Sequence, residues 1–240
     1  MLYDFLKTKQ NEEKQVVLLI DPDKHSELSL CKLLDNSVLA GISFILIGGS
    51  LTSKSINENI ILIKKYCKLP VFLFPGSLMQ LCDHADGILL LSLLSGRNAD
   101  FLIGNHVQAA PFLRRSNLEI IPTGYILIDC GQPTSVEYMS NTFPIPFNKP
   151  DIAVATAMAG EMLGLKLIYL EGGSGADKVI HTSLISEVKR NISLPLIVGG
   201  GIRTYQQAKD IFNAGADLIV IGTTAEENPD SIMEIAAASK

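Results

Sequence analysis

Two carboxylates in this chain stand where a short apolar run ends: Asp21 closes VVLLID, and Glu171 follows KLIYL. An acid placed there leaves a buried strand just as the chain emerges, within reach of a ligand. Glu171 opens directly into Gly172, Gly173, Ser174 and Gly175, and two later apolar runs break in the same way, into VGGGIRT at 198–204 and VIGTTAE at 220–226. Glycine carries no Cβ, so its backbone can approach an anion closely, and a helix starting immediately afterwards adds free N–H groups and a positive dipole end. Three such loops in succession point to a bound phosphate. Negative charge beside an anion site is costly unless the carboxylate does something, and accepting a proton from a substrate hydroxyl is what Glu171 suits. The competing role for Glu171 is an ion pair with Arg203. Asp21, together with the hydroxyl of Ser50 at the end of FILIGGS, suits Mg²⁺, which takes one or two carboxylates and fills its shell with water and phosphate oxygens. The alternative for Asp21 is capping of the helix that follows. Asp23 and Lys24 read as solvated loop charges.

These groups converge only if the elements carrying them end on one face. Short continuous apolar runs, the mark of strands covered on both sides, fall at 16–21, 44–47, 70–74, 87–91, 119–129, 166–170, 194–198 and 218–221. Pro122 should make the first half of the fifth run irregular. Helical spacing falls between them at 27–39, 56–66, 97–113, 152–163, 182–190, 205–214 and 229–238, and only a stub at 78–85 separates the third strand from the fourth. Alternating strands and helices without hairpin signals imply a parallel sheet, and eight units in 240 residues imply a single-domain (β/α)8 TIM barrel whose third helix is short or replaced. An open doubly wound sheet is the competitor, but it would carry its phosphate loop after the first strand, where this chain has aspartates. In a barrel every strand end just named faces one mouth, and the last loops are where that fold commonly holds a phosphate. Residues 130–150, with four prolines, are long for a connection and suggest a lid or an interface.

Composition removes several classes. A net charge of −5 with no basic cluster argues against nucleic acid. No apolar run reaches the ~18 residues a membrane span needs, and the first residues lack a signal-peptide core, so a cytoplasmic protein is expected. Cys31, Cys67, Cys82 and Cys130 are scattered without metal or disulfide spacing and read as packing thiols. The four histidines show no ligand spacing and read as surface or helix residues, with only His25 at the mouth. No lysine lies inside an apolar strand, which weakens Schiff-base aldolase chemistry. High apolar content and the small-residue stretch at 152–163 favour a homo-oligomer, a dimer or larger.

The segments LIDPDK, FILIGGS, LLSGRN, IPTGYILID, IAVATAMAGEMLGLKLIYLEGGSGA, VGGGIRT and VIGT together resemble the geranylgeranylglyceryl phosphate synthase family, and more closely its second group, which includes bacterial members. The resemblance implies a Mg²⁺-dependent prenyltransferase that joins the C3 hydroxyl of sn-glycerol 1-phosphate to a prenyl diphosphate, geranylgeranyl diphosphate, releasing diphosphate. It implies that Asp21 and Ser50 hold the metal and that Glu171 takes the hydroxyl proton. Glycerol phosphate would be held by Tyr169, Leu170, Glu171, Gly172, Gly173, Ser174, Gly175, Gly200, Gly201, Gly222 and Thr223. Some members of the family place a lysine two positions before the metal aspartate, where this chain has Leu19. Burial of a prenyl tail at about 0.8 kcal/mol per CH₂ would supply much of the donor affinity, so an apolar groove is expected near 78–94. A longer, heptaprenyl donor remains open, as does a sugar-phosphate isomerase or lyase on a phosphate-binding barrel, or a binding protein that keeps the pocket without turnover.

Overall fold

The computed structural model describes Tyr3 and residues 13–240. Eight parallel strands close into a barrel in sequence order: β1 (Gln15–Ile20), β2 (Ile45–Ile47), β3 (Val71–Leu73), β4 (Gly87–Leu93), β5 (Glu119–Leu127), β6 (Leu167–Glu171), β7 (Leu196–Gly199) and β8 (Leu218–Ile221). The ring shuts through β1 against β8, with Gln15 opposite Leu218 and Leu18 opposite Ile221, which excludes the open sheet.

Side chains alternate along each strand, and the alternation divides the core in two. Leu167 and Tyr169 of β6 point into the barrel, where they meet Val17, Leu46, Leu89, Tyr125, Ile197 and Val220. Ile168 and Leu170 point outward, into the layer shared with the helices. One further period, two residues on from Tyr169, turns Glu171 inward at the rim, and two periods carry β1 from inward Val17 to Asp21.

The helices are α1 (Glu27–Ala40), α2 (Ile56–Tyr66), α3 (Asn105–Arg115), α4 (Ser135–Ser140), α5 (Pro150–Met162), α6 (Thr182–Arg190), α7 (Tyr205–Asn213), α8 (Thr223–Glu227) and α9 (Ser231–Ala236). Capping is local and legible. Ser26, not Asp21, caps α1 in a reciprocal box with Ser29, and Thr204 with Gln207 does the same for α7. No α-helix joins β3 to β4; a single 3-10 turn at Leu78–Gln80 does.

Three local expectations need correction. Pro122 does not disturb β5, because the strand pairs through it, Leu90 against Pro122, and its carbonyl still accepts the Lys166 N–H at 2.7 Å; only a donor is missing. The helix expected from Arg97 begins later, since Arg97 sits at φ 52° and a π turn, Asp100–Gly104, precedes α3. The final helix is preceded by a separate one-turn helix, α8, whose five residues are too few for periodicity to reveal. Residues 130–150 contain α4 and return to β5 through a bridge between Ile145 and Ile128.

Candidate active site at the barrel mouth

A cavity of about 350 Å³ opens at the C-terminal end of the strands, the end at which such barrels carry their chemistry. Asp21, Ser50, Tyr169, Glu171, Ser174, Gly175, Gly200, Gly201, Gly222 and Thr223 all line it. They come from the ends of β1, β2, β6, β7 and β8.

On the β6–β8 side the wall is backbone. Gly200 and Gly201 have φ of 94° and 70°, and a Cβ on Gly200 would lie 2.7 Å from the Gly173 nitrogen, so the second and first glycine loops touch with no room for a side chain. The third loop joins them through Ser174 Oγ and Thr223 Oγ1, 3.1 Å apart. Gly222 starts α8 directly, and a short extra helix after β8 is a recurrent phosphate-binding feature of this fold. Arg203 lies against the same loops, donating to the Gly201 and Gly175 carbonyls at 3.3 Å.

Not every residue of YLEGGSG faces the cavity. Leu170 points into the helical layer, as the alternation requires. Gly172 and Gly173 do not line the cavity either: Gly172 packs against Cys130, whose thiol burial pushes up to about 12. Gly173 uses its φ of 100° to turn its N–H back onto Glu171.

Glu171 sits inside this wall, 6% exposed, with Oε1 accepting the Gly173 N–H at 2.6 Å. Arg203 does not pair with it, being spent on backbone carbonyls. Burial raises the Glu171 pKa above the ordinary carboxyl value, only partly offset by Gly173 and by the Tyr169 and Tyr125 hydroxyls. Those hydroxyls are themselves pushed well up by burial and by the nearby carboxylate. Tyr169 Oη, fully buried, finds no well-formed hydrogen bond, so its effect on Glu171 is one of proximity and Gly173 is the firm donor. A buried unsatisfied hydroxyl beside a cavity is a place for a substrate oxygen. Room for that hydroxyl exists because residue 199 is glycine; a Cβ there would lie 2.3 Å from it.

Across the mouth, Asp21 Oδ1 accepts the Asp23 N–H at 3.0 Å. The Gly49 backbone packs near the carboxylate, a Cβ there falling 3.9 Å from Oδ2, and the next residue, Ser50, lines the same cavity. No cluster of three or more His, Cys, Asp or Glu suited to a metal occurs among the described residues. An all-oxygen set of one carboxylate and one hydroxyl fits magnesium, whose remaining positions are taken by water and phosphate.

Sequence reasoning missed Glu226 here and underrated its neighbour Lys24. Glu226, on α8, lines the cavity and accepts the Asp21 N–H and Lys24 Nζ, both at 2.9 Å. Burial pushes its carboxyl up, but His25, the Asp21 N–H and Lys24 outweigh this and hold the pKa low. At 3.5 Å the His25 contact is at the limit of a hydrogen bond, so the two shorter contacts carry most of the effect. Lys24, read as a solvated loop charge, therefore belongs to the cavity wall. Asp23 instead ties the β1 and β2 loops together, accepting from Ser53 and Lys54 N–H at 2.7 and 2.8 Å.

The rest of the cavity is apolar. From the mouth it passes Leu91, Leu93 and Phe101 and reaches the outer side of β4 at Ile88 and Leu90, beside Leu78, Leu81 and Ala109. The 3-10 turn that replaces a helix leaves that side of the sheet open. His106 interrupts the lining, its Nε2 3.0 Å from Ser92 Oγ, its Nδ1 unpartnered and its pKa lowered by burial. Nothing in the sequence distinguished it from the other histidines.

The fold and mouth define a (β/α)8 barrel with a glycine-lined wall suited to an anion, a buried glutamate that has no lysine or arginine partner among the described residues, and an apolar arm. Residues 8–239 match the profile of the PcrB family, and the chain belongs to that family. It is 46% identical over 229 residues to a geranylgeranylglyceryl phosphate synthase of Spirosoma linguale, covering 95% of this chain and 92% of the relative. A synthase of the same name from Flavobacterium johnsoniae is 48% identical over 224 residues, 93% of this chain and 92% of the relative. Among solved structures, the (S)-3-O-geranylgeranylglyceryl phosphate synthase of Thermoplasma acidophilum in complex with its substrate sn-glycerol-1-phosphate superposes with a TM-score of 0.95 at 32% identity. It covers 100% of this chain and 98% of that one.

Proposed function

We propose that this chain is a prenyltransferase that joins the C3 hydroxyl of sn-glycerol 1-phosphate to geranylgeranyl diphosphate, giving geranylgeranylglyceryl phosphate and diphosphate. The observation that carries the reading is Glu171, buried between the glycine cradle and the apolar arm with no lysine or arginine partner among the described residues. It is supported by relatives of the same name over nearly the whole chain. The cradle pins the phosphate of glycerol phosphate through backbone N–H groups, which cannot swing away. The C3 hydroxyl then points at Glu171, which takes its proton as the oxygen attacks the allylic carbon. The carbon–oxygen bond to diphosphate breaks and its electron pair leaves with the diphosphate. The apolar arm holds the prenyl tail and keeps water from the allylic carbon. Magnesium held by Asp21 and Ser50 would neutralise charge on the diphosphate as it departs.

The deciding experiment mixes purified protein with each glycerol phosphate enantiomer, magnesium and a set of farnesyl, geranylgeranyl and heptaprenyl diphosphates, and seeks the ether by mass spectrometry. Product from the sn-1 enantiomer with the geranylgeranyl donor, abolished by EDTA, is expected. Product from the sn-3 enantiomer alone, or turnover without a prenyl donor, would overturn the reading. A preference for the heptaprenyl donor would change its chain length.

No described helix is long and apolar enough to cross a membrane, and we read the protein as acting in the cytoplasm. We also read it as a dimer or larger. Tyr138 and Phe143 stand 86% and 85% exposed beside the mouth, and Met162 and Leu163 are exposed at the end of α5; large apolar side chains left in water mark surfaces that another copy can cover. A monomeric mass by light scattering would dismiss that reading.

A further inference from the structure

On the reaction proposed above, the cavity must receive two anions, a phosphate monoester and a diphosphate. Among its described lining residues only Lys24 and Arg203 carry permanent positive charge. The two are placed on different sides. Arg203 is held by the Gly201 and Gly175 carbonyls, on the glycerol phosphate cradle. Lys24 stands on the β1 side, its ammonium 3.9 Å from Asp21 Oδ2 and 2.9 Å from Glu226 Oε2.

Glu226 fixes that ammonium. Its side chain is 6% exposed, and its other oxygen accepts the Asp21 N–H at 2.9 Å, so one buried carboxylate sets both Lys24 and the Asp21 loop relative to α8. An ammonium has three N–H donors and no acceptor; Glu226 takes one. If the pair served only to tie the β1 loop down, the Asp21 N–H bond would already do so without a half-exposed charge beside the cavity.

We propose that Lys24, positioned by Glu226, is the cation that receives the diphosphate of the prenyl donor and stabilises it as the allylic carbon–oxygen bond breaks. The electron pair of that bond passes to a diphosphate oxygen, and Lys24 donates a hydrogen bond to that group without giving up its proton. The inference rests on the prenyl-transfer reading and adds a residue to it.

The test titrates inorganic pyrophosphate with magnesium, and separately sn-glycerol 1-phosphate, into the full chain by calorimetry, for wild type, Lys24→Met and Lys24→Arg. Loss of one charge-assisted contact should weaken pyrophosphate binding roughly tenfold or more in Lys24→Met, leave sn-glycerol 1-phosphate within about twofold, and be partly restored in Lys24→Arg. Glu226→Gln should lower kcat by roughly tenfold while the KM for sn-glycerol 1-phosphate stays put, as expected of a positioning residue. Equal pyrophosphate affinity in wild type and Lys24→Met would overturn the assignment. So would an equal loss of both ligands, which would make Lys24 a brace for the mouth. Wild type that binds sn-glycerol 1-phosphate but no pyrophosphate would overturn the prenyl-transfer reading itself.

Discussion

Asp217 and Glu171 are both carboxylates sealed inside the barrel wall, at opposite ends of it. Asp217, just ahead of β8, accepts Lys189 Nζ at 2.7 Å and the Leu196 N–H at 2.8 Å, with Lys14 Nζ 3.8 Å from its other oxygen. Its charge is met by partners from three parts of the chain. Glu171, at the last inward position of β6, has one backbone N–H and two tyrosine hydroxyls beside it and, among the described residues, no lysine or arginine paired with it. The closed end spends its ions on holding strands together, whereas the open end keeps a buried carboxylate without a cation among the described residues, the state that the proposed proton acceptor requires. That asymmetry separates a braced end from an end with a buried acid facing a cavity.

The sharpest way to break the comparison is Glu171→Gln. Removing the base should lower kcat by roughly 10²–10⁴-fold, read from steady-state turnover, with sn-glycerol 1-phosphate still bound in calorimetry because the cradle is backbone. Loss of binding along with turnover would mean that Glu171 shapes the pocket and does not act as the base. Asp217→Ala tests the other end. Stranding two lysines at a buried site should cost about 3 kcal/mol of stability and lower Tm by roughly 6–12 °C, while kcat/KM at a temperature where the protein stays folded remains near wild type. An inactive but fully stable variant would erase the distinction between the ends.

The smallest effect concerns the cost of the unpaired charge. Because burial raises the Glu171 pKa, the folded chain holds that proton more tightly than the unfolded chain, whose reference value is 4.5. The stabilising contribution is therefore complete below 4.5 and lost as pH rises through the higher folded value. Ionised Glu171 costs stability at neutral and alkaline pH, so Glu171→Gln should melt slightly higher than wild type there, and the gain should vanish on acidification. In the wild type, kcat/KM should fall as pH drops through the same raised pKa. A variant less stable than wild type at alkaline pH would show that the Gly173 contact outweighs burial.

Much of the site could be read from residues close together in sequence. Asp21 and Glu171 were legible because a strand end is a local signal and alternation says which way the next side chain points. The glycine loops were legible because three apolar runs in succession break into glycine, where a single pair would more often be only a turn, and the missing third helix because the stub at 78–85 is barely two turns long. Within YLEGGSG the residues differ: the same alternation turns the Leu170 side chain away from the cavity, and the Gly173 N–H is donated to Glu171.

By itself, then, the sequence determined the barrel, the rim on which the strand ends open and the two acids placed there, since each follows from spacing within a few residues. The tertiary structure alone decided the pairing of Lys24 with Glu226, 202 positions apart, the meeting of Ser174 with Thr223, and the place of His106 in an apolar wall. Those contacts depend on barrel closure, which brings β8 back beside β1, and on the register between strands, which fixes the height of each loop. Neither quantity is written in any single stretch of the chain.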